Sequence, residues 1–283
     1  MPLGIFSLIA PEWTPQELIT AARQFGYHGI EWRVAKPGDL RAGPPDFWRN
    51  NVCTLAPELL HRTLPPLVAQ GRQGGVETFA ISPYLDCDQT QEVEALLAVA
   101  AAAGVGQMRI RAPALDSSRN YEVQLDAARK SLASIEKLAR RHGVRACIEQ
   151  HNGTLVPSAS ACRRLVDALD PAAVGIIVDV GNMVVEGYEP FAMVLDVLGP
   201  YIAEVHVKNG FFAPTPGGAA AIASSWEVQW CGLREGWVNF DQLRQAMRDR
   251  NYNGWLVLED FSPRPLADRL REGRETLAWL AQK

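Results

Sequence analysis

The sequence predicts an α/β fold, a single (β/α)8 barrel over residues 1–283, on three observations. Short apolar runs alternate with amphipathic stretches eight times. The segments joining the runs are long enough for parallel crossovers rather than hairpins. Several runs end in residues that carry chemistry, at the end where such barrels place their sites. A doubly wound open sheet is the alternative; it is disfavoured because no Gly-x-Gly-x-x-Gly turn follows the first run.

Taken in order, residues 3–8 form the first strand. Thr14-Pro-Gln-Glu17 then starts a helix, with Thr14 as N-cap and Pro15 at the first position, and the helix stops at Gly26. The second strand is residues 28–34, ending near Glu31 and Arg33. A polar loop over 39–51, rich in Gly and Pro, precedes a helix over 57–70. The third strand is 75–82 and its helix 92–103. The fourth strand is 107–112, followed by a long helix over 121–142 that ends at Gly143. The fifth strand, residues 145–149, runs from Ala146-Cys-Ile148 into the polar Glu149-Gln-His-Asn152. A helix over 158–169 stops at Asp170-Pro171. The sixth strand is 174–179, with a helix at 189–198. The seventh is 201–208, followed by a long loop over 209–235. A helix at 240–251, an eighth strand at 255–259 and a helix at 265–281 complete the pattern.

The composition, 47% hydrophobic and 21% charged over 283 residues, supports one large core. A net charge of −4 argues against nucleic acid as a partner. No stretch is long and apolar enough for a membrane span, and the N-terminal residues do not have the pattern of a signal peptide. The five cysteines are odd in number and lack any Cys-x-x-Cys pair, as expected of scattered thiols in a cytoplasmic protein.

Four strand ends carry the candidate chemistry. Strand five ends in Glu149, strand six in Asp179, strand seven carries His206, and strand eight ends in Glu259. Taken singly, each has a bland reading: a solvated strand-end acid, or a satisfied core histidine. Together, on four consecutive strands, they make a mixed carboxylate and imidazole set suited to Mn²⁺ first, with Mg²⁺, Co²⁺ or Zn²⁺ as alternatives. A version without metal stays open, in which His206 and Lys208 form salt bridges to the three acids.

These residues carry a resemblance. His28-Gly-Ile-Glu31, Ile148-Glu149, Val178-Asp-Val-Gly-Asn182, Val205-His-Val-Lys208, Gly236-Trp-Val-Asn-Phe240 and Tyr252-Asn-Gly-Trp-Leu-Val-Leu-Glu259 resemble the xylose isomerase-like barrel superfamily of sugar isomerases and epimerases, with ketose 3-epimerase and inosose dehydratase relatives. The resemblance implies that Glu149, Asp179, His206 and Glu259 are metal ligands. It also implies that Glu149 and Glu259 are an acid/base pair on opposite faces of a bound sugar, working through a metal-stabilised enediolate. The sequence departs from ketose 3-epimerases in two places. Asn182 stands where they carry a substrate-contacting His, and Asn209-Gly-Phe-Phe212 stands where they carry a substrate-binding Arg.

Further substrate-binding candidates are Glu31, Arg111, His151, Asn182 and Lys208. Glu31 otherwise pairs with Arg33 or Arg111. Arg109 and Arg111 share a strand face and reach either substrate or buried acids. His151 and Lys208 follow the ligands Glu149 and His206 by two residues. Trp13, Trp226, Trp230 and Trp237 are placed in loops, which leaves sugar stacking or a homo-oligomer contact open. The leading expectation is a metal-dependent isomerase or epimerase of a keto-sugar or related polyol. A lyase or dehydratase is the alternative, by elimination from the same carbanion in an inosose or a keto-glycoside. An apurinic endonuclease is disfavoured by the acidic charge and only five His, and a non-catalytic sugar-binding subunit by the presence of both Glu149 and Glu259.

Overall fold

Each barrel run pairs in parallel with its neighbours, and the last pairs with the first. The computed structural model describes residues 1–36, 43–215 and 225–282. The strands are β1 (Leu3–Phe6), β2 (Gly29–Val34), β3 (Glu77–Pro83), β4 (Gln107–Ile110), β5 (Arg145–Glu149), β6 (Val174–Asp179), β7 (Ile202–Val207), β8 (Asn209–Pro214), β9 (Trp226–Cys231) and β10 (Trp255–Leu258). The closed barrel runs β1-β10-β7-β6-β5-β4-β3-β2. Two register shifts interrupt the ladder, at Ile30/Glu31 against β3 and at Ile176/Ile177 against β7. Both lie on strands that carry candidate site residues, where such irregularities re-aim side chains.

The helices are α1 (Pro15–Phe25), α2 (Leu60–Gln73), α3 (Thr90–Ala103), α4 (Tyr121–His142), α5 (Ala159–Val166), α6 (Val180–Val185), α7 (Phe191–Leu198), α8 (Phe240–Asp249) and α9 (Leu266–Leu280). Their boundaries follow the local signals. Thr14 and Glu17 form a reciprocal capping box on α1, the Thr14 amide donating to Glu17 at 2.7 Å and the Glu17 amide to Thr14 at 3.3 Å. Gly26 and Gly143 end their helices in the left-handed region, at φ 76° and 65°. None of the described helices is long and apolar enough to cross a membrane. The five cysteines are free and buried.

The N-terminal end of the barrel is closed by an aromatic stack, Phe79 on Trp255, with centroids 4.1 Å apart and planes 13° apart. Glycine makes room for it. A Cβ at Gly4 would stand 2.8 Å from the Phe79 ring, and one at Gly29 would stand 2.7 Å from the Trp255 ring.

Several sequence expectations need correction. The loop expected over 209–235 contains a two-stranded antiparallel sheet, β8 with β9, registered from Asn209↔Cys231 to Pro214↔Trp226. Trp226 and Trp230 therefore lie on a strand. The signal was present, since Trp-Glu-Val-Gln-Trp alternates with the period of a strand. A six-residue helix, α6, starts directly after Asp179, where no helix was expected. Its six residues are too few for a periodic pattern. Glu31 is mid-strand rather than terminal, and Arg111 lies just beyond β4. Parts of the expected loops, residues 39–42 and 216–224, lie outside the described residues.

Thr14→Ala should lower unfolding free energy by about 1 kcal/mol, and Gly29→Ala by about 1–3 kcal/mol through overpacking of the floor. Urea denaturation measures both. A Gly29→Ala protein as stable as wild type would show that the stack can give way.

Candidate active site

The C-terminal ends of β5, β6, β7 and β10 bring Glu149, Asp179, His206 and Glu259 together. All four are buried, and one ligating atom from each lies within 4.8 Å of the others. Local structure positions each one. Asp179 N-caps α6: its Oδ1 accepts from the amides of Gly181 and Asn182, each at 2.9 Å. Glu149 Oε2 accepts from Arg109 Nη1 at 2.5 Å, and Oε1 from Asn182 Nδ2 at 3.4 Å. Lys208 Nζ donates to Asp179 Oδ2 at 2.6 Å and to Asn182 Oδ1 at 3.0 Å. It also stands 2.6 Å from Glu259 Oε2, without hydrogen-bond alignment. The lysine stem passes over Gly181, where a Cβ would stand 2.7 Å from Lys208 Cγ. The Trp230 and Phe261 rings cover the ammonium at 4.8 and 5.5 Å.

Beneath this set, His206 Nε2 lies 2.9 Å from Glu31 Oε2 and 3.5 Å from Glu204 Oε1. Glu31 also accepts from the Ser82 hydroxyl. His206 Nδ1 is buried with no hydrogen-bond partner among the described residues.

Burial alone would lower the His206 pKa, but the charge of Glu31 and hydrogen bonding to Glu204 and Glu31 override it and hold His206 well above the usual imidazole range. Burial would raise Glu31 and Asp179. His206 holds Glu31 below the usual carboxylate range, and Lys208 does the same for Asp179. Burial pushes Glu204 up to about 7, with Glu31 adding to it. Burial likewise pushes Glu259 up to about 8, against the pull of Lys208. Lys208 and Arg109 are desolvated yet held above their usual values, Lys208 chiefly by Asp179 and Arg109 chiefly by Glu149.

This donor set fits a divalent cation. Three carboxylates and an imidazole offer hard and borderline ligands, and the ring nitrogen not engaged by Glu31 has no other partner. The network contains five buried acids (Glu31, Glu149, Asp179, Glu204, Glu259) and three buried bases (Arg109, His206, Lys208). With His206 neutral, as a metal ligand must be, and all five acids ionised against Arg109 and Lys208, it carries three excess negative charges, most of which one divalent ion would offset.

A cavity of about 310 Å³ opens above the set, lined by Glu149, Glu259 and Lys208 with Arg109, Arg111, Tyr84, Asp86, Trp48, His151, Asn152 and Thr154. Of the substrate candidates, Arg111, His151 and Lys208 therefore border the cavity. His151 is exposed at the rim, its Nδ1 2.7 Å from the Asn152 carbonyl. Glu31 and Asn182 do not border it. Glu31 holds His206, and Asn182 bridges Glu149 to Lys208. Arg33 and Arg111, the partners considered for Glu31, bond elsewhere. The run Gly236–Phe240 is structural: Asn209 Oδ1 accepts from the Val238 amide at 2.9 Å, tying the hairpin base to this turn, and Asn239 caps α8. Tyr84 and Asp86, which the sequence did not single out, follow β3 on the same side of the barrel as the other strand-end residues.

Fold and site define a (β/α)8 barrel with a buried carboxylate–imidazole centre at its mouth. The chain belongs to the xylose isomerase-like TIM barrel family, whose model matches residues 19–283. It is similar to inosose dehydratase of Bacillus anthracis (strain CDC 684 / NRRL 3495), 25% identical over 166 residues that cover 54% of this chain and 52% of the relative. The chain thus matches about half the length of its curated relatives. Two solved structures share the fold across nearly both chains. One is the apo form of a 3-keto-D-glucoside 4-epimerase from E. coli, with TM-score 0.70 and 18% identity, covering 99% of this chain and 98% of that one. The other is an IolI protein with a bound zinc atom, with TM-score 0.75 and 14% identity at the same coverages.

His206→Ala is expected to abolish divalent-ion binding measured by calorimetry. Glu31→Gln, which loosens the hold on the ring, should weaken it by about 10–100-fold. Full retention in His206→Ala would remove His206 from the ligand set.

Proposed function

We propose that this chain is a divalent-metal-dependent isomerase or epimerase of a keto-sugar or related polyol, with Glu149 and Glu259 as its acid/base pair. One observation carries the reading. Glu149 on β5 and Glu259 after β10 flank Asp179 and His206 on the two strands between them, and both acids line the same cavity. A substrate seated there has a carboxylate on either side.

A divalent ion held by Glu149, Asp179, His206 and Glu259 would supply positive charge next to the substrate carbonyl and make the neighbouring C–H more acidic. Mn²⁺ is the first expectation. Glu149, held by Arg109 and Asn182, removes that proton, and the electron pair moves onto the carbonyl oxygen. Glu259 delivers a proton to the opposite face of the carbon, which inverts it. Lys208 stands 2.6 Å from Glu259 and within the cavity wall, where its ammonium orients a substrate oxygen. His151 at the rim and Arg111 contact the far end of the sugar. Asn182 acts on substrate only through Glu149 and Lys208.

A second reading is favoured by the inosose dehydratase relatives. The same proton removal, followed by loss of a β-hydroxyl as water, makes the protein a lyase.

Incubation with Mn²⁺ and a panel of ketoses, inososes and keto-glycosides in D₂O, followed by proton NMR, tests both. Deuterium is expected at one carbon, and Glu149→Gln or Glu259→Gln should slow exchange by about 10²–10⁴-fold. An ultraviolet-absorbing enone identifies elimination; its absence with a new stereoisomer identifies epimerisation. Exchange in Glu149→Gln at the wild-type rate would end the acid/base assignment.

A further inference from the structure

The cavity has one wall of distinctive charge. Tyr84 stands there, just past β3, and three guanidinium groups gather around its ring. Arg109 lies 4.7 Å from the ring centroid, Arg33 5.2 Å and Arg111 6.0 Å. Arg109 and Arg111 line the cavity beside Tyr84. Arg33 lies behind, its Nε donating to the Tyr84 hydroxyl at 3.3 Å.

Three like charges this close repel unless anions face them. Two do. Glu149 takes Arg109 Nη1 at 2.5 Å, and Asp86 takes Arg111 Nε at 3.0 Å. Among the described residues, Arg33 meets only neutral groups: Tyr84, the Thr54 hydroxyl at 2.9 Å and the Trp48 carbonyl at 3.2 Å. Arg109 Nε is buried with no partner among the described residues. Asp86 engages only the Nε of the half-exposed Arg111, and among the described residues its two terminal nitrogens have no partner. Among the described residues, donors of Arg109 and Arg111 are thus without partners, and both residues border the cavity.

We infer that the substrate of this site carries a carboxylate, seated on the free edge of Arg111 beside Arg109, so that the site takes a keto-uronate or another polyhydroxylated keto acid. The chemistry at the other end rests on the function proposed above. The layout suits a molecule with two distinct ends. Glu149, Glu259 and Lys208 form the floor, while Arg111 and Asp86 lie at the rim. A carboxylate matches the planar fork of a guanidinium. The fork would also accept a phosphate, but the nearby Gly153 amide, which could add a donor for its extra oxygen, already donates to Glu186 at 2.8 Å.

The test measures dissociation constants by calorimetry on the Mn²⁺-loaded protein. The ligands are matched pairs, each a sugar keto acid and the neutral keto-sugar of the same stereochemistry. For at least one pair the acid is expected to bind about 10–100-fold more tightly. In Arg111→Gln that ratio should fall to about one, while Asp86→Asn, which removes the competing anion, should widen it. Equal binding of acid and neutral partner, binding of neither in every pair, a ratio unchanged in Arg111→Gln, or a preference for phosphorylated sugars would each overturn the inference. Deuterium exchange on the same pairs is scored separately: a charge preference in binding without exchange would count against the proposed reaction and not against the carboxylate.

Discussion

The charge balance inside the barrel governs the rest of the structure. Glu31, Glu149, Asp179, Glu204 and Glu259 are all nearly inaccessible to water, and an isolated carboxylate in such surroundings is costly. Arg109, His206 and Lys208 reach into the same volume and take most of the load. Their placement explains otherwise arbitrary choices in the sequence. Gly181 lacks a side chain because the Lys208 stem crosses it. Ser82 donates to Glu31, and Asn182 fills the gap between an acid and an ammonium. Few of these residues can be changed alone, because removing either member of a buried pair leaves the other uncompensated.

Much of this was legible in the sequence, and the limits have physical causes. The barrel could be read because each βα unit has its own local signals, such as the Thr14 cap, the Gly26 and Gly143 stops and the short apolar runs. Glu149, Asp179, His206 and Glu259 could be singled out because topology alone brings strand ends to one mouth. What topology does not give is side-chain pairing. Glu31 turned to His206 and not to Arg33 or Arg111, at the point where the β2–β3 register shifts. Asn182 was expected at the substrate and lies behind Glu149, because α6 carries it into the wall. Tyr84 and Asp86 went unremarked because they lie beyond residue 82, the expected end of the third strand, rather than on it.

Floor and rim divide the work. The floor is built from strand and strand-end residues locked by several partners each. The rim comes from the segments after β3, β4 and β5, where Asp86, Arg111, His151 and Thr154 sit on irregular backbone. Such segments vary readily while the scaffold persists, so one fold can hold different ligands over a common floor. Substrate identity is therefore sought in the rim arginines and not in the four residues at the centre.

Asp179 joins a secondary-structure boundary to the centre. One of its oxygens is spent on the first amides of α6, so only the other faces Lys208 and the remaining acids. The first turn of that helix and the placement of the acid are then a single cooperative unit. If α6 frays, the carboxylate loses its anchor, and whatever holds the carboxylate from the other side also tightens the helix. Occupancy of the mouth is thereby linked to local order six residues along the chain, and rigidity there becomes a reporter of what the barrel contains.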